Sequence, residues 1–223
     1  MQEVIGSLLP YALTIAFGPI PIITIAIMLQ TPSPKRTGAN FAVGWILGLT
    51  ILAALLTMLS SQVPAGDADH PRRWIGLIQM VLGAAMLALA AKKIRSRIGS
   101  VEEAVVPGFL SSLAETTPGK AVVVGVVASA INPKHVILIL PIGTLIAQNG
   151  LSSAQALVSI GLFVVLASIT VAGTAIAYVV SPDRVGKIVD IGYRWMVRNM
   201  AVVSAAVLIL IGVNILGKGI ANW

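Results

Sequence analysis

Apolar residues follow one another in long unbroken stretches rather than alternating with polar ones. Six such runs divide the chain, near residues 4–29, 39–59, 74–91, 119–147, 154–180 and 199–217. A hydrocarbon core about 30 Å thick is crossed by about 20 helical residues rising 1.5 Å each, so each run is read as a membrane-spanning helix. A membrane barrel would instead show segments of about ten residues with alternating polarity, and the runs do not alternate. The predicted fold is therefore an all-α integral membrane protein with six transmembrane helices. The first run carries Glu3 in place of a basic leader, lacks a small-residue cleavage site and exceeds the apolar length of a signal peptide. It is expected to persist as a span.

Composition agrees with the pattern: 57% of the 223 residues are hydrophobic and 10% charged, against about 25% charged in soluble domains. The net charge of +7 would suit nucleic acid, but the basic residues sit between the apolar runs, where they orient spans instead. Lys35, Arg36, Lys92, Lys93, Arg95, Arg97, Lys120, Arg184, Lys187, Arg194 and Arg198 fall in loops one, three and five, against Arg72, Arg73 and Lys218 on the other face. The bias of eleven to three places the odd-numbered loops in the cytoplasm and both termini outside. Within the long third loop, Lys92, Lys93, Arg95 and Arg97 form a candidate contact for anionic lipid headgroups, beside the apolar stretch 105–110. The chain has no cysteine, which excludes disulfides, thiolate metal sites and thiol redox chemistry.

The two halves can be laid over each other. Pro19 in run one corresponds to Pro133 in run four, Gly44 in run two to Gly161 in run five, and Leu82-Gly83-Ala84-Ala85-Met86-Leu87 to Ile211-Gly212-Val213-Asn214-Ile215-Leu216. Three spans per half force the second half to enter from the opposite face, which predicts two inverted three-helix repeats: residues 1–91, a basic cytoplasmic loop 92–118, and residues 119–223. The first helix of each repeat is broken by proline, at Gly18-Pro19-Ile20-Pro21 and at Asn132-Pro133. Irregular backbone at membrane depth survives only where it is buried in protein or lines a wet cavity. Paired breaks in inverted repeats point to a substrate site, so Gly18, Pro19, Pro21, Asn132 and Pro133 are candidate binding residues.

Lys134 and His135 complete that candidate site. No Asp or Glu lies inside any run, which argues against carboxylate-bound metal cations, against acid-based proton relays and against an embedded hydrolase needing an acid to orient a histidine. No cofactor, metal or enzymatic activity is expected. An ammonium at mid-span costs about 2.5–3.5 kcal/mol on insertion scales, so Lys134 should face a wet or ligand-filled interior, or else bond carbonyls freed at the other broken helix. His135 reads either as a ligand contact or as a hydrogen-bonded packing residue. Gln79 and Asn214 read as interhelical hydrogen-bond partners, and Gly44, Gly83 and Gly212 as close-packing positions.

The broken first helix followed by Pro34-Lys35-Arg36 and Phe41-Ala42-Val43-Gly44-Trp45, the Ala130-Ile131-Asn132-Pro133-Lys134-His135 motif, the turn from Gln148 to Ala156 and the closing Leu216-Gly217-Lys218-Gly219 together resemble the GAP family. These are the glycolipid-addressing and sulfolipid-addressing proteins of mycobacteria and other actinobacteria, grouped in the lysine exporter superfamily. The resemblance covers essentially the whole chain. It implies a multi-pass inner-membrane protein that delivers envelope glycolipids toward the cell surface, with membrane lipids, a glycolipid substrate and a larger lipid exporter as partners, and it leaves room for a homo-oligomer. Alternatives are a small-solute exporter of the amino-acid type using the same broken helices, and an accessory scaffold of an envelope-lipid export complex. The superfamily's thiol-redox carriers are excluded by the missing cysteines.

Overall fold

A computed structural model of the chain describes residues 2–62, 73–97 and 112–221. Every regular element among them is helical: α1 (Gln2–Ala16), α2 (Pro19–Met28), α3 (Pro34–Ser61), α4 (Arg73–Arg97), a 3-10 turn at Ser112–Glu115, α5 (Pro118–Ala130), α6 (Pro133–Gln148), α7 (Ser153–Val180) and α8 (Pro182–Ala221). Five of the eight helices begin on proline, the residue suited to a first turn whose N–H groups have no partner. Thr117 precedes α5 in extended backbone but makes no side-chain cap. Ser152 caps α7 fully, accepting from the Gln155 N–H while the Gln155 side chain accepts from its own. The turn before it is made by Gly150 at φ +60°, in the left-handed region that glycine enters without steric cost.

α3 and α7, each of 28 residues, are long and apolar enough to cross a membrane alone. Two pairs qualify only as bent spans: α1 with α2 turns by 50° at its break, and α5 with α6 by 61°. In α4 the apolar part is the shorter stretch Met80–Lys92. Two boundaries differ from those read in the sequence. Lys92, Lys93, Arg95 and Arg97 continue α4 rather than opening a loop, because Ala91-Lys92-Lys93-Ile94-Arg95 holds no helix breaker and is rich in good helix formers. α8 begins at Pro182, well ahead of the apolar run at 199, because no proline follows Pro182 before the end of the helix. Arg184, Lys187, Arg194 and Arg198 therefore lie on a helix. The apolar stretch 105–110 and the side chains of Gln79, Lys93, Arg97 and Asn214 lie outside the described residues.

The chain folds as two compact units that cut across the division at residues 91 and 119: Met1–Pro64 with Val106–Tyr193, and Ala65–Val105 with Arg194–Trp223. In the first unit α3 packs along α5, α6 and α7, while α7 packs on α1 and α2. Glycines set how closely α3 meets the broken pair. A Cβ on Gly44 would strike the Val122 carbonyl, one on Gly48 the Ser129 hydroxyl, one on Gly125 the Phe41 carbonyl, and one on Gly143 would lie 2.9 Å from the Leu56 carbonyl carbon. Apart from the Ser129 hydroxyl these contacts are backbone against backbone, the closest helix packing available without a hydrophobic driving force. The pairing is parallel: the Asn40 side chain donates to the Pro118 carbonyl at 2.9 Å near one end, and Ser60 meets Thr144 at 3.2 Å toward the other. Around this seam Phe41, Trp45, Leu49, Ile139 and Phe163 are fully buried.

The second unit is organised by small residues at heptad spacing. Gly76, Gly83 and Ala90 on α4 and Ala205, Gly212 and Gly219 on α8 are all buried. A Cβ on Gly83 would lie 2.9 Å from the Gly212 carbonyl oxygen, and one on Gly219 2.8 Å from the Gly76 carbonyl oxygen. These two contacts define an antiparallel register that sets Ala90 opposite Ala205. Gly83 and Gly212, the positions equated in the internal duplication, meet each other. Cysteines at Ala90 and Ala205 in this cysteine-free chain should form a disulfide on mild oxidation, whereas a pair at Leu82 and Ala205, off this register and with Leu82 exposed, should not. Sulfhydryl titration before and after oxidation reads the difference.

Candidate functional site

The first unit places both helix breaks around adjacent residues at the start of α6. In α5 the Ser129 carbonyl would bond the N–H of residue 133 in an unbroken helix, but Pro133 has none. The orphaned oxygen is satisfied by His135 Nδ1 at 2.8 Å. A carbonyl only accepts, so the ring proton sits on Nδ1. His135 is 1% exposed and stands edge-on to the Trp45 indole, with ring centroids 5.4 Å apart. The Ser129 hydroxyl turns back to the Gly125 carbonyl at 2.8 Å. Asn132 caps α6, its Oδ1 accepting from the Lys134 N–H at 3.0 Å, and its carbonyl accepts from the His135 N–H at 2.9 Å.

The other break is mended from the same place. Pro19 cannot donate to the Ile15 carbonyl, and the Gly18 N–H takes that oxygen at 3.1 Å in a tightened turn. Gly18 is thereby withdrawn from Thr14, its partner in a regular helix. The freed Thr14 carbonyl accepts instead from Lys134 Nζ at 3.4 Å. A Cβ on Gly18 would lie 3.2 Å from that ammonium, so the absence of a side chain there leaves room for the lysine. Lys134 also lies at the carbonyl end of α1, where a cation is favoured by the helix dipole.

Of the residues singled out from sequence, Gly18 and Lys134 are in contact across the two breaks. Asn132 and His135 hold the local geometry on α6, and Pro21 is buried beside Gly18. Pro133 is exposed, which puts it at the edge of this cluster. For Pro19 only the backbone is described, at the start of α2. Lys92 and Arg95 are exposed at the end of α4 with Ala88 and Ala91 lining the shallow surface between them. Among the described residues no group of three or more His, Cys, Asp or Glu is placed to hold a metal ion.

A family model described as Sap, sulfolipid-1-addressing protein, matches residues 8–221. The chain belongs to this sulfolipid-1-addressing family. No curated protein and no solved structure gives a significant match. The match spans both helix breaks and both units, so the sulfolipid-addressing assignment applies to the whole helical arrangement and not to one segment. This sulfolipid-addressing family member is a membrane protein built on apolar helices.

Sequence reading missed three contributors to the site. Thr14 and Ser129 act through backbone carbonyls, and the signal for each was its distance from a proline: Ser129 stands four residues before Pro133, and Thr14 five before Pro19. Gly48 follows Gly44 by four residues, the small-xxx-small spacing of close membrane helix pairs. Replacing Pro133 with Ala should return an N–H to the Ser129 carbonyl, displace His135 and relax the 61° bend. Spin labels at exposed Val123 and Ile137 should move apart in that variant.

Proposed function

We propose that this protein transfers an anionic envelope glycolipid across the inner membrane toward the cell surface, its headgroup passing the paired helix breaks while the acyl chains stay in the bilayer. The observation that carries the reading is the single ammonium of Lys134 seated between two broken helices in a member of a sulfolipid-addressing family. A sulfate is a full negative charge with oxygen acceptors, and a charge-assisted bond to it is roughly twice as strong as a neutral one.

In this reading α4 and the apolar half of α8 complete six spans, arranged as inverted repeats with both termini outside. Two observations support the symmetry: each unbroken helix, α3 or α7, packs on the broken pair of the other half, and Gly83 meets its counterpart Gly212. Lys92 and Arg95, with Lys93 and Arg97 on the same basic helix end, rest at the cytoplasmic headgroups. The role is non-enzymatic, and a larger lipid exporter is the expected partner.

Reconstitution tests the reading. Proteoliposomes holding a sulfated glycolipid in the inner leaflet should expose it to an external sulfatase faster with the protein than without. Equal rates would contradict direct transfer, and acceleration of an amino acid's escape instead would support the small-solute exporter.

A further inference from the structure

The Lys134 ammonium has three donors, yet the acceptor it holds is a neutral carbonyl at the long distance of 3.4 Å. The Thr14 carbonyl has a second donor within reach along the chain, the Gly18 N–H, which is engaged at the Ile15 carbonyl. Gly18 carries no side chain to oppose a shift, and the atoms nearest to the position of a Cβ are the Ile15 carbonyl oxygen, the Lys134 ammonium and Pro21. A second arrangement is therefore open to the end of α1. With Lys134 on Thr14, the Gly18 N–H closes a tight turn onto Ile15. With Lys134 gone, the same N–H can return to Thr14 and extend α1 by a regular turn, leaving the Ile15 carbonyl to water or to the bound headgroup because Pro19 has no N–H.

We propose that Lys134 is a latch: in the empty protein it holds the end of α1 in the tight turn, and an anionic headgroup draws it away and lets the α1–α2 break rearrange. The proposal rests on the headgroup reading above and adds how binding is converted into movement. A carbonyl dipole cannot match a full negative charge for an ammonium in a low-dielectric site, so a sulfate or phosphate wins the competition while an uncharged sugar does not. A ligand shifts such an equilibrium only through different interactions with the two states, and the exchange of Lys134 from carbonyl to anion supplies that difference. The bend of α1 against α2, 50° in the latched form, is the quantity that should change.

Spin labels at exposed Leu9 and at Gln30, one on each side of the break, report that bend in nanodiscs. Sulfatide, a sulfated galactosylceramide, should shift the mean distance by about 2 Å or more, the scale of one residue's rise and rotation. Galactosylceramide without the sulfate should leave it unchanged. Lys134→Gln should show the shifted distance in both lipids. Gly18→Ala keeps the charge but places a Cβ 3.2 Å from the ammonium; it should show the shift without sulfatide. Sulfatide that binds the wild type in a Lys134-dependent manner without moving the labels would overturn the latch and leave the headgroup reading standing. Equal sulfatide binding by wild type and Lys134→Gln would overturn both. An unshifted Gly18→Ala protein also counts against the latch, and it does so even if Lys134→Gln fails to fold.

Discussion

Lys134→Ala should slow the movement of a sulfated glycolipid in reconstituted vesicles about 10- to 100-fold while the protein still inserts and folds. The ammonium is the one formal charge in the paired breaks, and no Asp or Glu stands in any apolar run to share its work. A hydrogen bond to a charged group contributes roughly 1.5–3 kcal/mol, so its loss lowers the rate about 10- to 100-fold. Lys134→Arg keeps the charge but places a planar guanidinium beside Gly18, where the compact ammonium already lies 3.2 Å from the position of a Cβ; it retains part of the activity. Lys134→Glu would set a carboxylate against the Thr14 carbonyl and should fail in both transport and abundance. Initial rates with protein amount normalised by immunoblot separate the three. Full activity of the Ala variant would remove Lys134 from transfer and leave it as a mender of α1.

Gly48→Leu should prevent the first unit from assembling. At this position a Cβ already meets the Ser129 hydroxyl, and would stand 2.8 Å from the Val126 carbonyl oxygen; the remaining atoms of leucine have nowhere to go. Forcing extra carbons into a packed seam costs about 1–3 kcal/mol where side chains can move, and here much of what must move is backbone. The separation of α3 from α5 would also release Ser129 and, through it, His135. Membrane abundance should fall about tenfold, since losses of 1–2 kcal/mol already change it several-fold. Gly161→Leu on α7, where nothing lies within 4 Å of an added Cβ, should leave abundance unchanged. Comparable levels of the two variants would show that α3 and α5 are not held by glycine contact.

How far the fold could be read in advance follows from which physical signal each feature leaves in the chain. Long apolar runs mark the helices because a membrane filters composition, and so α7 was legible nearly to the residue, whereas α3 starts five residues ahead of its apolar run, at Pro34. Pro19 and Pro133 marked the breaks because a missing N–H is written in the sequence. The same reading stopped short at Lys92–Arg97 and at Pro182–Arg198, where a helix continues beyond the apolar stretch and only the absence of breakers announces it. The partners at the site were less legible. A contact from Lys134 to freed carbonyls of the other broken helix was one of two alternatives that burial alone could not separate, and Thr14 supplies its oxygen from 120 residues away. His135 declared itself as a buried polar residue, but its acceptor is a backbone carbonyl, which every residue possesses and which no residue type identifies. The division into two units was hidden for a related reason: Gly76, Gly83 and Ala90 form a stripe only when set against Ala205, Gly212 and Gly219 in antiparallel register.

The measurement that bears most directly on the account is the distribution of envelope lipids in cells lacking this protein, complemented with wild type or with Lys134→Gln. Inner-membrane and surface fractions are separated and their sulfated glycolipid quantified by mass spectrometry. The account predicts that the lipid accumulates in the inner membrane of the deletion strain, returns to the surface with wild type and stays inside with Lys134→Gln. Unchanged surface lipid in the deletion strain, together with a small solute accumulating in the cytosol, would contradict it.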